Sequence, residues 1–236
     1  MLRLPFTIIT STALILFISA VCCTTIGAQP HGAVTDSVWD YGYLPQKAEV
    51  SHVFYLYNIG DKSLNVEKID PGCACTSVSE IDKPIKPGDS VAVEVTFKSG
   101  RYHGNVKKTT KVYTDDPVDP VKRLKLLAHV VKRKQDAGAI SINPWEIVFD
   151  DADTLSSDLS LSNKENDTLV VSVAHNSAQV HFDIQPDARL LPGDELTIPM
   201  AIENRPDGSD DQALSITFDL IGEKTTRLTI PVKLKD

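Results

Sequence analysis

Apolar and polar residues alternate over short stretches through most of the chain. In Val91-Ala92-Val93-Glu94-Val95-Thr96-Phe97, the residues Val91, Val93, Val95 and Phe97 share one side of an extended strand, and Glu94 and Thr96 take the other. Runs of the same kind cover Val53–Tyr57, Leu64–Ile69, Val106–Tyr113 and Leu124–Val131. Turn-forming clusters separate them: Asn58-Ile59-Gly60-Asp61, Pro87-Gly88-Asp89, Ser99-Gly100 and Asp115-Asp116-Pro117. Helical periodicity is nearly absent after the first 28 residues. About seven short strands per hundred residues, punctuated in this way, predict an all-β, immunoglobulin-like sandwich and not a βαβ unit.

The pattern recurs at an offset of 105 residues. Leu56-x-Asn58 returns as Leu161-x-Asn163, Leu64-x-Val66 as Leu169-x-Val171, and Pro87-Gly88-Asp89 as Pro192-Gly193-Asp194. The apolar face Val91, Val93, Val95, Phe97 becomes Leu196, Ile198, Met200, Ile202. An in-register repeat of three segments and a face predicts two tandem sandwiches, over residues 34–133 and 138–236, joined by the polar stretch Lys132–Gly138. Asn58, Gly60, Pro87, Gly88 and their counterparts Asn163, Pro192 and Gly193 read as structural turn positions. Asn and Gly accept left-handed backbone angles, and Pro-Gly-Asp presets a tight reversal.

The N-terminus carries a different pattern. Arg3 precedes an apolar run from Phe6 to Val21, and small residues follow as far as Ala28. Charge, apolar core and small residues in that order predict a signal peptide over residues 1–28, with cleavage after Ile26-Gly27-Ala28. The expected location is therefore outside the cytoplasm, periplasmic or secreted. Ser19-Ala20-Val21-Cys22 loosely resembles a lipobox, and lipidation at Cys22 is the alternative, leaving the chain lipid-anchored in the envelope. Membrane contact is expected only through the signal segment or such an anchor.

Charge is unevenly divided. Residues 34–134 hold 16 Lys plus Arg against 13 Asp plus Glu; residues 135–236 hold 7 against 19. The acidic second half argues against a nucleic-acid partner, because phosphate would be repelled.

Cleavage at Ala28 would leave two cysteines, Cys73 and Cys75, within Pro71-Gly72-Cys73-Ala74-Cys75-Thr76. Three readings stand open: small apolar packing, a disulfide closing a very small ring, or two soft ligands for a metal such as Cu(I). The 105-residue offset places Ala178 and Val180 on their positions, which predicts slots that small apolar residues fill equally well. His52, His103 and His129 lack ligand spacing to the cysteines and read as ordinary sheet or surface residues, so no cofactor is expected beyond that soft metal. The basic set Arg101, Lys107, Lys108 and Lys111 reads as a solvated strand face. Asp115-Asp116-Pro117 reads as loop chemistry more simply than as a calcium site. No phosphate loop, nucleophile elbow or triad is apparent, so an enzyme is not expected. Asp-Ser/Thr-aliphatic triplets centred on Ser37, Ser90, Thr154 and Thr168 resemble acceptor sites of certain periplasmic O-glycosylation systems; common turn-to-strand junctions also have this form.

Phe54-x-Leu56-x-Asn58-x-Gly60-Asp61-x-x-Leu64-x-Val66, then Gly72-Cys73-x-Cys75-Thr76, then Ile85-x-Pro87-Gly88-Asp89 together resemble a family of exported bacterial proteins. That family is known only as a domain of unknown function with a Cys-Gly-Cys-Thr motif, and is similar to major sperm protein and Hydin-type immunoglobulin-like modules. The resemblance covers about Trp39 to Val131, with Ala74 where the family has glycine. It implies a fold and export and no particular reaction. The expected function is a non-catalytic binding or structural module of the cell envelope, with an envelope protein or polysaccharide as partner. The alternative is a metal-binding or thiol-redox module using Cys73 and Cys75.

Overall fold

The computed structural model describes residues 27–132, 137–150, 156–177, 179–185, 188–202 and 213–235. Residues 1–26 with Cys22, residues 133–136 of the connecting stretch, Thr154 and Ala178 lie outside the described residues.

The described chain is all-β. Its strands are β1 (Gly32–Val34), β2 (Val38–Pro45), β3 (Glu49–Asn58), β4 (Val66–Asp70), β5 (Thr76–Val78), β6 (Ser90–Lys98), β7 (Gly104–Thr114) and β8 (Val121–Val131), then β9 (Ile140–Asn143), β10 (Ile147–Asp150), β11 (Ser156–Asn163), β12 (Leu169–Asn176), β13 (Val180–Phe182), β14 (Ala188–Leu190), β15 (Glu195–Ile202), β16 (Leu214–Ile221) and β17 (Thr225–Lys235). The alternating runs of the sequence became β3, β6, β7 and β8, each extended by one to a few residues, and β4, which begins at Val66 because Leu64 pairs separately with Ile85.

Two groups of buried side chains form two cores. The first joins Tyr41, Leu44, Phe54, Leu56, Val93, Val95, Phe97, Leu124 and Val130 among others; the second joins Ile140, Leu159, Leu161, Met200, Ile216, Phe218 and Ile230 among others. A four-stranded sheet in the order β1-β3-β6-β5 covers the first core, and one in the order β13-β15-β11-β9 covers the second. Alternation of burial along β6 and β15 puts Val93, Val95, Phe97 and Ile198, Met200, Ile202 inward, as the period-two pattern requires.

The opposite wall of both cores is a single nine-stranded sheet. Its order is β14-β12-β16-β17-β2-β8-β7-β4, with β10 also paired to β17. The halves meet where β17 lies parallel to β2, at Leu228 opposite Tyr43. A bulge between Asp40 and Tyr43 turns β2 there, and Gly42 at its centre has φ +62. A Cβ on Gly42 would sit 2.1 Å from the Arg227 carbonyl oxygen, so glycine is what permits the close approach. Beside it the Thr229 hydroxyl donates to the Tyr41 carbonyl at 2.7 Å and shares a 2.9 Å hydrogen bond with Thr217. Ser215, Thr217 and Thr229 are fully buried, on the face of β16 and β17 turned away from the second core. The joint between the halves thus combines these buried hydrogen bonds with apolar packing of Val131 and Tyr43 against the second core.

The turn positions have a more specific basis than the sequence suggested. Asn58 and Asn163 do not take positive φ; Gly88 and Gly193 do, at 80° and 81°. Each asparagine instead sits buried as a hub. Asn58 Nδ2 donates to the carbonyls of Lys62 and Ile85, and its backbone carbonyl accepts from Gly88. Asn163 repeats this with Asp167, Leu190 and Gly193. A carbonyl has two acceptor sites, and the amide adds a second bond where, as at Ile85, a backbone N–H already fills the first. Pro87-Gly88 and Pro192-Gly193 close type II-like reversals, with Asp89 N donating to Lys86 O and Asp194 N to Leu191 O at 3.0 Å each. Gly60 is held for space, since a Cβ there would lie 2.3 Å from the Gln29 carbonyl oxygen.

Candidate functional site

Cys73 and Cys75 lie in the turn between β4 and β5, where the chain crosses from the nine-stranded sheet to the four-stranded one. Gly72 takes φ +81 in a spot where a Cβ would meet the Thr109 carbonyl oxygen at 2.5 Å, and its N–H donates to Asp70 Oδ1. The reversal is therefore made at Gly72, and Ala74 needs no unusual backbone angle. The chain at Cys73–Cys75 is a turn that leads into β5. Their sulfurs are bonded to each other across a Cα–Cα distance of 5.3 Å. Both cysteines are half-buried, Cys75 against the first core, and Ala74 between them is exposed.

The strand register corrects the comparison with the second half. Thr76 faces Phe97, whereas Val180 faces Ile202, and Phe97 and Ile202 are the residues that correspond at 105. Val180 therefore occupies the position of Thr76 and not that of Cys75. The bond from Val180 N to Ser177 O repeats that from Thr76 N to Cys73 O. Ser177 thus stands where Cys73 stands. One residue of slip reverses every side-chain direction, which the sequence offset alone did not reveal. The cysteines therefore do not share the positions of Ala178 and Val180, although Cys75 packs against the first core.

Two neighbours of the disulfide escaped the sequence reading. The Tyr102 hydroxyl donates to Cys75 Sγ at 3.6 Å, and Lys108 Nζ donates to that hydroxyl at 2.8 Å while lying 4.0 Å from the ring centre. Thr76 Oγ1 lies 3.4 Å from Cys73 Sγ. Lys108, expected on a solvated face, is therefore half-buried against Tyr102. Only the third dimension brings a residue from β7 and one from the β6–β7 loop to this turn.

A second site lies where the halves meet. Ser51, His52, Tyr55 and Glu94 from the first half face His175, Asn176 and Ser177 from the second across a cleft of about 530 Å³. His52 stacks on Trp39 at 4.1 Å with rings 6° apart, and His175 meets both rings edge-on at 5.6–5.7 Å. The Arg227 guanidinium lies 5.2 Å from the Trp39 ring centre, held by a two-pronged bond to Asp219. Among the described residues, His52 Nδ1, Asn176 Oδ1 and Trp39 Nε1 are buried without a hydrogen-bond partner. His52 is thus no ordinary sheet histidine. Its partner His175 comes from beyond residue 138, and no spacing rule links the two.

Burial, and then repulsion by His175, lowers the His52 pKa from 6.5 to about 4; burial lowers that of His175 as well. A histidine lowered on folding favours the folded state while neutral. The stabilisation is complete above the ordinary histidine pKa and is lost as pH falls from about 6.5 to about 4. The expected loss at His52 is about 2 kcal/mol, allowing for solvent that reaches the ring. Urea unfolding at pH 7 and pH 4.5 measures it, and His52→Phe should flatten the slope; an unchanged slope in that variant counts against the assignment.

The other sequence candidates are dispersed. Ser90 and Thr168 are exposed and Ser37 is half-buried, its carbonyl accepting from Lys125 N. His103 is exposed, and His129 Nδ1 pairs with Asn105 Oδ1 at 2.7 Å. Asp115 is engaged by Asn65, and Asp116 is buried under several donors, so neither presents a free carboxylate to a cation. Among the described residues, no group of three or more His, Cys, Asp or Glu side chains is gathered as a metal site, and no helix is long and apolar enough to cross a membrane.

No curated protein matches the chain. Several solved structures are similar to it. A protein of unknown function from Porphyromonas gingivalis W83 shares 11% identity, with 86% of this chain and 99% of that one covered and a TM-score of 0.32. The Pseudomonas aeruginosa CupB2 chaperone shares 12%, over 84% and 98%, with a TM-score of 0.31. The tandem Ig repeats of Dlar share 10%, over 88% and 99%, with a TM-score of 0.34. Likenesses this distant assign neither partner nor activity. A family model described as "Protein of unknown function (DUF1573)" matches residues 33–130, so the segment that builds the first core carries this domain of unknown function.

Proposed function

We propose that this chain is a non-catalytic binding module of the cell envelope, and that the cleft between its halves takes a polyhydroxylated ligand, a segment of envelope polysaccharide. The observation that carries the reading is the pairing of an open cleft, lined by polar and apolar groups together, with buried, unpartnered Nδ1 of His52 and Oδ1 of Asn176. Leaving such groups unpaired costs about 1–3 kcal/mol each, and a ligand hydroxyl can supply the missing bond once either side chain turns toward the cleft it lines. The exposed Tyr55 ring offers a flat apolar face beside them, and the exposed Glu94 a carboxylate acceptor. Planar polar groups next to an aromatic face suit a sugar ring, whose faces are apolar and whose rim is hydroxylated. Both histidines are held neutral near pH 7, so this wall does not itself call for an anion. The envelope location rests on the N-terminal segment.

Cleft binding is tested by titrating the chain with polysaccharide fractions from the native envelope. Tyr55→Ala and Asn176→Ala should each weaken binding about tenfold or more while the fold, followed by circular dichroism, persists. Failure of every fraction to bind, or equal binding by both variants, would refute the proposal. Recovery of a protein at this cleft instead would replace the ligand class.

A further inference from the structure

The disulfide at the β4–β5 turn lies away from the interdomain cleft and contributes little as a staple. A cross-link stabilises in proportion to the logarithm of the loop it closes, and this one spans a sequence separation of 2. The second half has Ser177 at the position of Cys73, and the same backbone bond, from Val180 N to Ser177 O, forms there without sulfur. The fold therefore supplies this geometry without the bond, and the bond requires another account.

We propose that Cys73–Cys75 is a thiol–disulfide exchange site that oxidises dithiols of other exported proteins. The surroundings differentiate the two sulfurs. Cys75 Sγ receives the Tyr102 phenol hydrogen, and the phenol oxygen in turn accepts from Lys108 Nζ at 2.8 Å. A cation on the oxygen and over the ring makes the phenol a stronger donor. Charge developing on Cys75 is met by that donor, whereas among the described residues Cys73 Sγ meets the Thr76 hydroxyl at 3.4 Å, which also lies 3.9 Å from Cys75 Sγ. The sulfur better stabilised as thiolate is the better leaving group, so attack is directed to Cys73.

A thiolate of the partner protein attacks Cys73 Sγ, forming a mixed disulfide; the Cys73–Cys75 bond breaks and its electron pair passes to Cys75 Sγ, held by the Tyr102 hydroxyl. The partner's second thiol, deprotonated, attacks its own sulfur in the mixed disulfide and releases Cys73. The partner loses two electrons and gains a disulfide; Cys73 and Cys75 end as thiols. A more oxidising protein disulfide must regenerate the pair by the reverse exchange. Tyr102 touches a reacting atom, and Lys108 is a positioning residue that acts through it.

Three measurements on the full chain test the proposal. Reduction of the disulfide by dithiothreitol, followed by alkylation and mass spectrometry, should slow about tenfold in Tyr102→Phe and in Lys108→Met, and Lys108→Arg should restore the rate. The pH profile of thiol alkylation should show Cys75, in Cys73→Ser, ionising at lower pH than Cys73 in Cys75→Ser. Oxidised full chain should transfer disulfides stoichiometrically to reduced, unfolded ribonuclease. Unchanged rates in the Tyr102 and Lys108 variants, a reversed order of ionisation, or ribonuclease that gains no disulfide would each overturn it. Because the cysteine variants resemble the sulfur-free turn of the second half, they should fold. The outcome bears on the turn alone and leaves the cleft reading to its own test.

Discussion

Replacing Asp116 with alanine is expected to destabilise the first half by about 3 kcal/mol or more, the range found when one partner of a buried ion pair is removed. The side chain is fully buried in the β7–β8 loop. Its Oδ2 accepts from Gly32 N at 2.9 Å and Lys122 Nζ at 3.0 Å and lies 3.1 Å from His31 Nδ1; its Oδ1 accepts from Val118 N and Asp119 N. Burial alone would raise its pKa. The hydrogen bonds from Gly32, Val118, Lys122 and Asp119 outweigh burial and hold the carboxyl well below the usual carboxylate range.

The alanine variant would leave the Lys122 ammonium, itself 5% exposed, with Asp119 as its remaining partner. It would also release β1 from the loop that anchors it. Asp116→Asn should fall between parent and alanine, since it keeps an acceptor and loses the charge. Adding Lys122→Met to Asp116→Ala should recover part of the loss, because the orphaned cation is then gone. Urea denaturation followed by tryptophan fluorescence measures all three, and a loss below about 1 kcal/mol in the alanine variant would contradict this account. The acid dependence has its own window. A carboxyl lowered on folding stabilises at pH above the ordinary carboxylate pKa, and that contribution is lost only as pH falls below about 4. The His52 contribution is spent between about pH 6.5 and pH 4, so the two groups separate in one titration.

Gly42→Val should uncouple the two halves. The residue has φ +62, which a β-branched side chain resists, and its Cβ would collide with backbone of Arg227. Strand β17 cannot then lie against β2, and the bonds from Thr229 to Tyr41 O and from Arg227 Nη1 to Asp40 O are lost with it. Calorimetry should show one cooperative unfolding transition resolve into two, with a larger radius of gyration in X-ray scattering. Gly88→Ala is the control: it also has positive φ but open space around it, so about 1 kcal/mol of purely local cost is expected. A single transition at the parent temperature in Gly42→Val would show that the joint does not depend on this approach.

The strands and their inward faces were readable because a strand repeats every two residues and water enforces the alternation. Val93, Val95 and Phe97 could be assigned to a core with no knowledge of what packs against them. The turn signature was readable in kind: Pro87-Gly88 and Pro192-Gly193 are reversals wherever they occur. The role of Asn58 was misread, because a buried amide serving carbonyls 4 and 27 residues away looks in sequence like a turn asparagine. The match of Cys75 to Val180 failed for a related reason. A constant offset was carried through a connection where the register had slipped by one.

What the sequence determined by itself was therefore local and periodic: an all-β chain, a repeated strand plan, and a cysteine pair too close together to staple distant segments. The tertiary structure decided everything that depends on which elements become neighbours. It made one sheet out of two repeats through the gap at Gly42, set His52 against His175, and brought Tyr102 and Lys108 to Cys75. None of these pairings has a period or a spacing. They follow from twist, register and close backbone approach, which exist only once the sheets have formed.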